Sequence, residues 1–136
     1  MAATPEEMLA EAIKQLTGAT SDAGYRNTIV SAYYAAYHAV VKLEEKFPHR
    51  SNAAPNKAGS HELLIRRLEI PHPQLDYGLK ITSKELANQM RIFKALRELA
   101  SYKPDEDVRI SQAEEAILIA KDILTECNKV IKKLAQ

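Results

Sequence analysis

RNTIVSAYYAAYHAVVKLEEKF, residues 26–47, is the stretch that decides the fold. It contains no helix breaker before Pro48, and its apolar residues recur at intervals of three and four, which is the spacing of one face of a helix. That face consists of Ile29, Ala32, Tyr33, Ala36, Val40 and Leu43, and it is widened by Val30, Tyr37 and Val41. The pattern predicts a helix that is buried on more than one side.

The same helix carries a row of mixed polarity. Ser31, Tyr34, Ala35 and His38 stand at positions i, i+3, i+4 and i+7, so their side chains share one face. Such a polar row is either hydrogen-bonded inside the protein or available to a ligand. For His38 two interpretations are open: a core histidine bonded to Tyr34, Ser31 or a carboxylate, or a group that exchanges protons near neutral pH. The row does not indicate a hydrolase triad, because the chain has no Gly-x-Ser-x-Gly elbow.

The sequence before this stretch predicts one further helix. Thr4, Pro5 and Glu7 match a capping box with proline at the first helical position, and the apolar pattern that follows should end near Gly18. Residues 19–24 are predicted to be a polar connection. After the stretch, residues 48–59 lack periodicity and contain two prolines, which predicts a surface loop.

The second half of the chain predicts three more helices. Ser60 is expected to cap a short helix, whereas residues 74–81 are compatible with a helical turn or an irregular strap. Residues 82–85 match a capping box that would start a long helix ending at Lys103, which precedes a proline. Residues 111–114 would cap the last helix. We therefore predict an all-α, up-and-down four-helix bundle with one extra short helix.

Composition places the chain among ordinary globular proteins. Its 136 residues suit one domain, residues 1–136, and its 46% hydrophobic and 27% charged residues exclude a disordered chain. The single cysteine cannot form an internal disulfide. We find neither a signal-peptide pattern nor the roughly 20 apolar residues of a membrane span. We therefore expect a cytoplasmic protein without membrane contact.

The charge of the chain is balanced. With 19 basic and 18 acidic residues the formal net charge is +1. A protein that coats nucleic acid usually carries a basic excess, because phosphate neutralisation supplies most of its affinity. Any contact with RNA is therefore expected to be local.

Three pieces of the sequence occur in the order in which one protein family has them. They are Arg26 to His38 with the core S-x-Y-Y-A-x-Y-H, then Gly59-Ser60-His61, then Arg97 to Tyr102. Over nearly its whole length the chain resembles the short stand-alone HEPN-domain proteins of bacteria and archaea. The resemblance implies a helical bundle that forms a homodimer.

The resemblance also implies a site at Arg97. In HEPN ribonucleases an arginine followed by a histidine forms the cleavage site, and two copies of the motif meet across the dimer. Here Tyr102 stands in place of the histidine, with four residues between it and Arg97. Tyrosine titrates near pH 10 and is a poor base at neutral pH. By resemblance the cleft is lined by Arg97 and Tyr102, with His38 and Tyr34 nearby.

Other interpretations of these residues remain open at the level of sequence. Arg97 can pair with an acidic side chain across the bundle, with Tyr102 packed at the helix end. His61 lies at a predicted helix start, where backbone N–H groups favour a phosphate, or it is an exposed residue near the cap. Arg26 should have a partner, either Asp22 or an anion from a ligand.

Neither a metal nor a cofactor is expected. The four histidines and one cysteine lack metal-ligand spacing, and the four glycines form no phosphate loop. We assign Arg97, Tyr102 and His38 as candidate catalytic residues. The candidate ligand-binding residues are Arg26, Ser31, Tyr34 and His61.

Two functional hypotheses follow from the resemblance. The first is a homodimer that binds RNA or a nucleotide, with or without metal-independent cleavage of RNA, as the toxin of a toxin–antitoxin or defence system. The second is a non-catalytic module that partners a nucleotidyltransferase-type protein. A third hypothesis, a purely structural bundle, requires that Arg97 be neutralised within its own subunit.

Overall fold

The computed structural model describes residues 3–53 and 59–136. These residues form five helices and no strand, which confirms the predicted all-α bundle. Part of the predicted surface loop, residues 54–58, lies outside the described residues. The helices are α1 (Pro5–Gly18), α2 (Asp22–Glu44), α3 (Ser60–Glu69), α4 (Tyr77–Tyr102) and α5 (Ile110–Leu134).

Helix α2 is the centre of the bundle. It contacts each of the other four helices, most extensively α5 and α1. The predicted apolar stripe is confirmed, since all six of its residues are fully buried. The bounds differ from the prediction at both ends: Ser21 caps the helix from outside, so the supposed connection at residues 22–24 is helical, and the helix ends at Glu44 rather than beside Pro48.

Contacts between side chains establish the direction of each long helix. Tyr33 packs against Phe93, and Arg26, earlier in α2, reaches Leu99, later in α4, so α2 and α4 are antiparallel. Asn128 near the end of α5 bonds to Glu6 at the start of α1. The Ser31–Gln15 hydrogen bond likewise joins the first half of α2 to the last half of α1. The four long helices therefore run up, down, up and down, as predicted.

Besides the start of α2, three further predicted helix starts are wrong by one or more residues. Helix α4 begins at Tyr77, where the Asp76 side chain accepts the Leu79 N–H, and not at residues 82–85. Ser83 is buried and donates to the carbonyl of Leu68 in α3, so its hydroxyl joins two helices instead of capping one. In α3 the cap is Gly59 rather than Ser60, and α5 begins at Ile110.

Helix α1 follows its sequence pattern closely. The Thr4 side chain accepts the Glu7 N–H, the Glu7 carboxylate accepts the Thr4 N–H, and the helix ends at Gly18. The connection to α2 is tight, because a Cβ atom on Gly24 would lie 2.8 Å from the Cβ of Ala19. Glycine is required there by this close approach of the backbone.

The far end of α2 is fixed by a buried carboxylate. Glu44 is 2% exposed and accepts two hydrogen bonds from Arg50, at 2.9 and 2.6 Å. The guanidinium of Arg67 in α3 lies 3.3 Å from the same carboxylate. Two cations therefore compensate one buried anion, which joins α2, the following loop and α3.

Candidate functional site

Arg97 lies on α4 among aromatic rings. Its guanidinium carbon is 5.3 Å from the ring centre of Tyr33, 5.5 Å from that of Tyr34 and 5.7 Å from that of Tyr102. Its Nη2 atom donates to the hydroxyls of Tyr34 and Tyr102 over 3.3 and 3.4 Å. These distances lie beyond the usual range for an N–H···O bond, so the phenols hold the guanidinium only weakly.

No carboxylate neutralises Arg97 in the part of the chain that the structure describes. The predicted alternative of an acidic partner is therefore not observed there. The Nε atom of Arg97 is buried and has no hydrogen-bond partner among the described residues. Burial disfavours the charge, but the hydrogen bond to Tyr34 and the neighbouring tyrosines keep the pKa of Arg97 above its ordinary value. The arginine is charged and retains unused donors.

The other cations on this side of α4 are neutralised. Arg91 donates to both Glu62 and Glu69 in α3, with Nε and Nη2 distances to Glu69 of 2.7 Å. Lys94 lies 3.4 Å from Glu62 and 3.3 Å from Glu98. Arg91 and Lys94 therefore join α4 to α3 through ion pairs, whereas Arg97 makes no ion pair among the described residues.

His61, in the first turn of α3, joins Arg97, Tyr33, Tyr34 and Tyr102 in one group of side chains, which we call the Arg97 cluster. Its ring lies 4.3 Å from that of Tyr37 and 5.5 Å from that of Tyr33, measured between centres. Its Nδ1 atom is 3.0 Å from the Tyr33 hydroxyl. The alternative of an exposed residue near the cap is thus wrong, since His61 is half-buried and hydrogen-bonded.

The Tyr33–His61 pair stays uncharged near neutral pH. Burial, and next the positive charge of Arg97, lower the pKa of His61 below its usual value. Burial raises the pKa of Tyr33 well above the ordinary tyrosine value. A neutral imidazole therefore lies in the same cluster as a permanently charged guanidinium, a combination that can accept a proton and stabilise negative charge.

His38 occupies the rim of the cluster. Its ring is 5.4 Å from that of Tyr37 and 6.4 Å from that of Tyr34, and its side chain is exposed. The structure shows no hydrogen bond from His38 to another described residue. The core-histidine alternative is therefore wrong, and His38 is an exposed residue beside Tyr34 and Tyr37.

Ser31 lines a groove between α1 and α2. Its hydroxyl donates to Gln15 over 2.9 Å. The groove has a volume of about 480 Å³ and is lined by Ala3, Glu7, Met8, Glu11, Val30, Ser31 and Tyr34. Tyr34 is the wall shared by the groove and the Arg97 cluster, so the mixed row of α2 divides between two environments.

Arg26 has the first of its two predicted partners. Its Nε atom donates to Asp22 over 2.6 Å, and its Nη1 atom donates to the carbonyls of Leu99 and Ala100 over 3.1 and 3.0 Å. Its Nη2 atom donates to the carbonyl of Glu106. These contacts occupy the guanidinium, so within the described structure Arg26 binds protein groups and does not face the Arg97 cluster.

The described residues offer neither a metal site nor a reactive cysteine. They contain no group of three histidine, cysteine or acidic side chains arranged to hold a metal ion. Cys127 is fully buried, and burial raises the pKa of its thiol to about 12. A thiol of that pKa is not a nucleophile at neutral pH.

Sequence reasoning missed the contribution of Tyr33 and Tyr37. Tyr33 was counted with the apolar stripe, and it is indeed fully buried, but its ring also faces Arg97 and its hydroxyl contacts His61. The only sequence signal was the density of tyrosines at positions 33, 34 and 37, which places three phenols within two turns of one helix.

Comparisons with protein-family models, with curated proteins and with solved structures find no match to this chain. Among the described residues, no helix is long and apolar enough to cross a membrane. The functional interpretation therefore depends on the geometry of the site and on the resemblance seen in the sequence.

Proposed function

We propose that the chain is a HEPN-like protein that binds a phosphate-bearing ligand, RNA or a nucleotide, at Arg97. The observation that supports this most directly is the half-buried guanidinium without a carboxylate partner among the described residues. Removing a charge from water is costly unless it is compensated. A phosphate would supply that compensation through two parallel hydrogen bonds.

The surrounding rings suit the other half of such a ligand. Tyr34 and Tyr102 flank Arg97, and Tyr102 is 65% exposed. Aromatic faces stack on unpaired bases with a gain of about 1–3 kcal/mol per base, whatever the base. A guanidinium beside the exposed ring of Tyr102 therefore favours a single-stranded or mononucleotide ligand over a duplex.

A net charge of +1 agrees with a ligand that is held at one point. Binding through many phosphates would need a basic surface, and the neighbouring Arg91 and Lys94 are already paired with carboxylates. We expect one phosphate to be neutralised, so the affinity should depend only weakly on salt.

Metal-independent RNA cleavage is the second candidate, and His61 favours it. A tyrosine side chain is in general a poor base at neutral pH. The imidazole of His61, whose pKa is lowered by burial and by the charge of Arg97, lies in the same cluster. In such a reaction a base would take the proton of the ribose 2′-hydroxyl, and the 2′-oxygen would attack the adjacent phosphate. The bond from phosphorus to the 5′-oxygen of the next nucleotide would break, leaving a 2′,3′-cyclic phosphate and a 5′-hydroxyl that takes up a proton, while Arg97 stabilises the developing charge. A homodimer and a nucleotidyltransferase-type partner remain further proposals from the resemblance.

The decisive experiment measures binding and cleavage together. Purified protein is titrated into a fluorescein-labelled uridine dodecamer and into adenosine monophosphate, in chelator, beside the Arg97→Ala and Arg50→Ala variants. Both variants lose one positive charge, but Arg50 is paired with Glu44, the last residue of α2, and not with the rings around Arg97. We expect binding to fall only in Arg97→Ala. Equal losses in the two variants, or no binding by the native protein, would contradict the proposal.

The same samples test cleavage. RNA fragments that disappear in Arg97→Ala and in His61→Ala would establish turnover. Fragments that appear only in Tyr102→His would show a site that has lost its proton carrier. Binding without fragments in any variant would leave a binding protein.

A further inference from the structure

The last turn of α4 has an unusual cap. The final carbonyls of a helix lack partners within it and are often served by a basic side chain of the same helix. The last turn of α4, all of it described, carries no basic residue. Arg26 from α2 instead donates to the carbonyls of Leu99 and Ala100. The cap of α4 is therefore supplied by another helix.

The cap extends into the connection between α4 and α5. Asp22 accepts from Arg26 with one carboxylate oxygen and from the Val108 N–H with the other, over 2.6 and 2.7 Å. Arg26 also donates to the carbonyl of Glu106. The two hydrogen bonds of Asp22, to Arg26 first and to Val108 second, lower the pKa of its carboxyl group. Asp22 and Arg26 together fix both ends of the segment that follows α4.

The capped carbonyls belong to the residues that separate Arg97 from Tyr102. Tyr102 is 65% exposed, and the contacts that the structure gives its side chain are those with Arg97. Core packing therefore does not hold the Tyr102 ring. Its position depends on the backbone of the last turn, and Arg26 holds that backbone.

We propose that Asp22 and Arg26 are positioning residues of the Arg97 site. They order the last turn of α4, so that the Tyr102 ring stays against the guanidinium of Arg97 and closes one side of the cluster. The inference rests on the proposed function for its relevance to ligand binding. The positioning itself is a property of the free protein and is testable without a ligand.

The first test follows the Tyr102 ring in the free protein. Fluorotyrosine is incorporated, the ¹⁹F signals are recorded, and the Tyr102 signal is assigned with Tyr102→Phe. In Arg26→Gln and Asp22→Asn we expect this signal to move toward that of solvent-exposed tyrosine, at a temperature where circular dichroism shows folded protein. Arg26→Lys keeps the charge but not the fork of donors, and should give a smaller movement.

The matched control is Arg50→Ala, which removes an arginine–carboxylate contact from the other end of α2. It should lower stability without moving the Tyr102 signal. If Arg26 had a purely structural role, both classes of variant would lower the melting temperature and neither would move that signal. An unchanged Tyr102 signal in folded Arg26→Gln and Asp22→Asn would overturn the proposal.

The second test measures affinity for the labelled uridine dodecamer. We expect Arg26→Gln to weaken binding by about tenfold and Arg26→Lys by less, with Arg50→Ala unchanged. Native affinity in Arg26→Gln would also overturn the positioning role. If the native protein binds no RNA, the proposed function fails, whereas the ¹⁹F result still decides whether Asp22 and Arg26 position Tyr102.

Discussion

Arg26 contacts the last turn of α4 from α2, whereas Arg97 is itself a residue of α4, and the surroundings of the two arginines differ completely. The side chain of Arg26 is 14% exposed, and its guanidinium donates to one carboxylate and three backbone carbonyls. The guanidinium of Arg97 has two long hydrogen bonds to phenols and three aromatic faces. One arginine is saturated by the protein, whereas the other keeps donors for something else.

The difference teaches how to separate a structural arginine from a candidate ligand-binding arginine. Both are charged, both are half-buried and both lie in a motif that the resemblance highlighted. What distinguishes them is the number and kind of acceptors that each already has. The carbonyls at the end of a helix need donors in any case, so bonding them to Arg26 buries no additional polar group.

The largest effect should come from Arg26. Arg26→Ala removes charged hydrogen bonds to two segments and leaves one oxygen of Asp22 and the carbonyls of Leu99 and Ala100 without the donors that Arg26 supplies. We therefore expect the free energy of unfolding to fall by about 3 kcal/mol. Chemical denaturation measures this. A loss below about 1 kcal/mol, the range of an exposed ion pair, would remove the contrast between the two arginines.

Arg97→Ala should instead reduce ligand affinity much more than stability. We expect affinity for the uridine dodecamer to fall by about a hundredfold, the equivalent of roughly 2.7 kcal/mol of charged hydrogen bonds, while the free energy of unfolding changes by about 1 kcal/mol or less. Fluorescence anisotropy and denaturation give the two values. A large loss of stability with unchanged affinity would assign Arg97 to the scaffold.

The phenols that contact Arg97 should contribute less. Tyr34→Phe and Tyr102→Phe each remove a hydroxyl and keep a ring, so each should weaken RNA binding by about fivefold, the equivalent of roughly 1 kcal/mol. Tyr25→Phe is the control, because no hydrogen bond of its hydroxyl is seen among the described residues. Tighter binding in either test variant would mean that the hydroxyls compete with the ligand for Arg97.

The smallest effect is a pH dependence at His61. Because its folded pKa lies below the unfolded value of 6.5, the unfolded chain binds the proton first. The contribution of His61 to the free energy of unfolding should be fully present above pH 6.5. It should decrease as the pH drops below 6.5 and stop decreasing below the folded pKa. His61→Gln should flatten this step, measured by denaturation between pH 7 and pH 5.

Glu62 provides an internal reference for that measurement. Its hydrogen bonds with Arg91 lower its pKa from 4.5 to about 2, so its contribution is present above the unfolded value and is lost as the pH falls toward 2. His61 and Glu62 therefore affect the stability over separate pH ranges. A step between pH 7 and pH 5 that persists in His61→Gln would have to be assigned to another group.

Local sequence signals predicted the scaffold well. The capping box at Thr4 and Glu7 and the stripe from Ile29 to Leu43 both involve residues three or four apart, and both were confirmed. The start of α4 was misplaced because Asp76 and residues 82–85 both have capping chemistry. Only the packed structure shows that Ser83 bonds to α3 instead.

The site was less predictable because its contacts span the chain. The pairing of Arg26 with Asp22 follows from their i, i+4 spacing, but its contacts with Leu99 and Ala100 cross more than 70 residues. His61 and Tyr33 are 28 residues apart. The sequence indicates most of the candidate residues. It does not show that Arg26 bonds to backbone carbonyls whereas Arg97, among the described residues, bonds only to phenols.

The central position of α2 has a consequence for hydrogen exchange. Since α2 contacts all four other helices, its amide hydrogens from Ile29 to Leu43 can reach solvent only when the whole bundle opens, and their exchange reports the global free energy of unfolding. The last turn of α4 needs only the loss of its cap from Arg26. Amides there should exchange through a smaller, local opening, whose free energy depends on the contacts of Arg26 and not on the core.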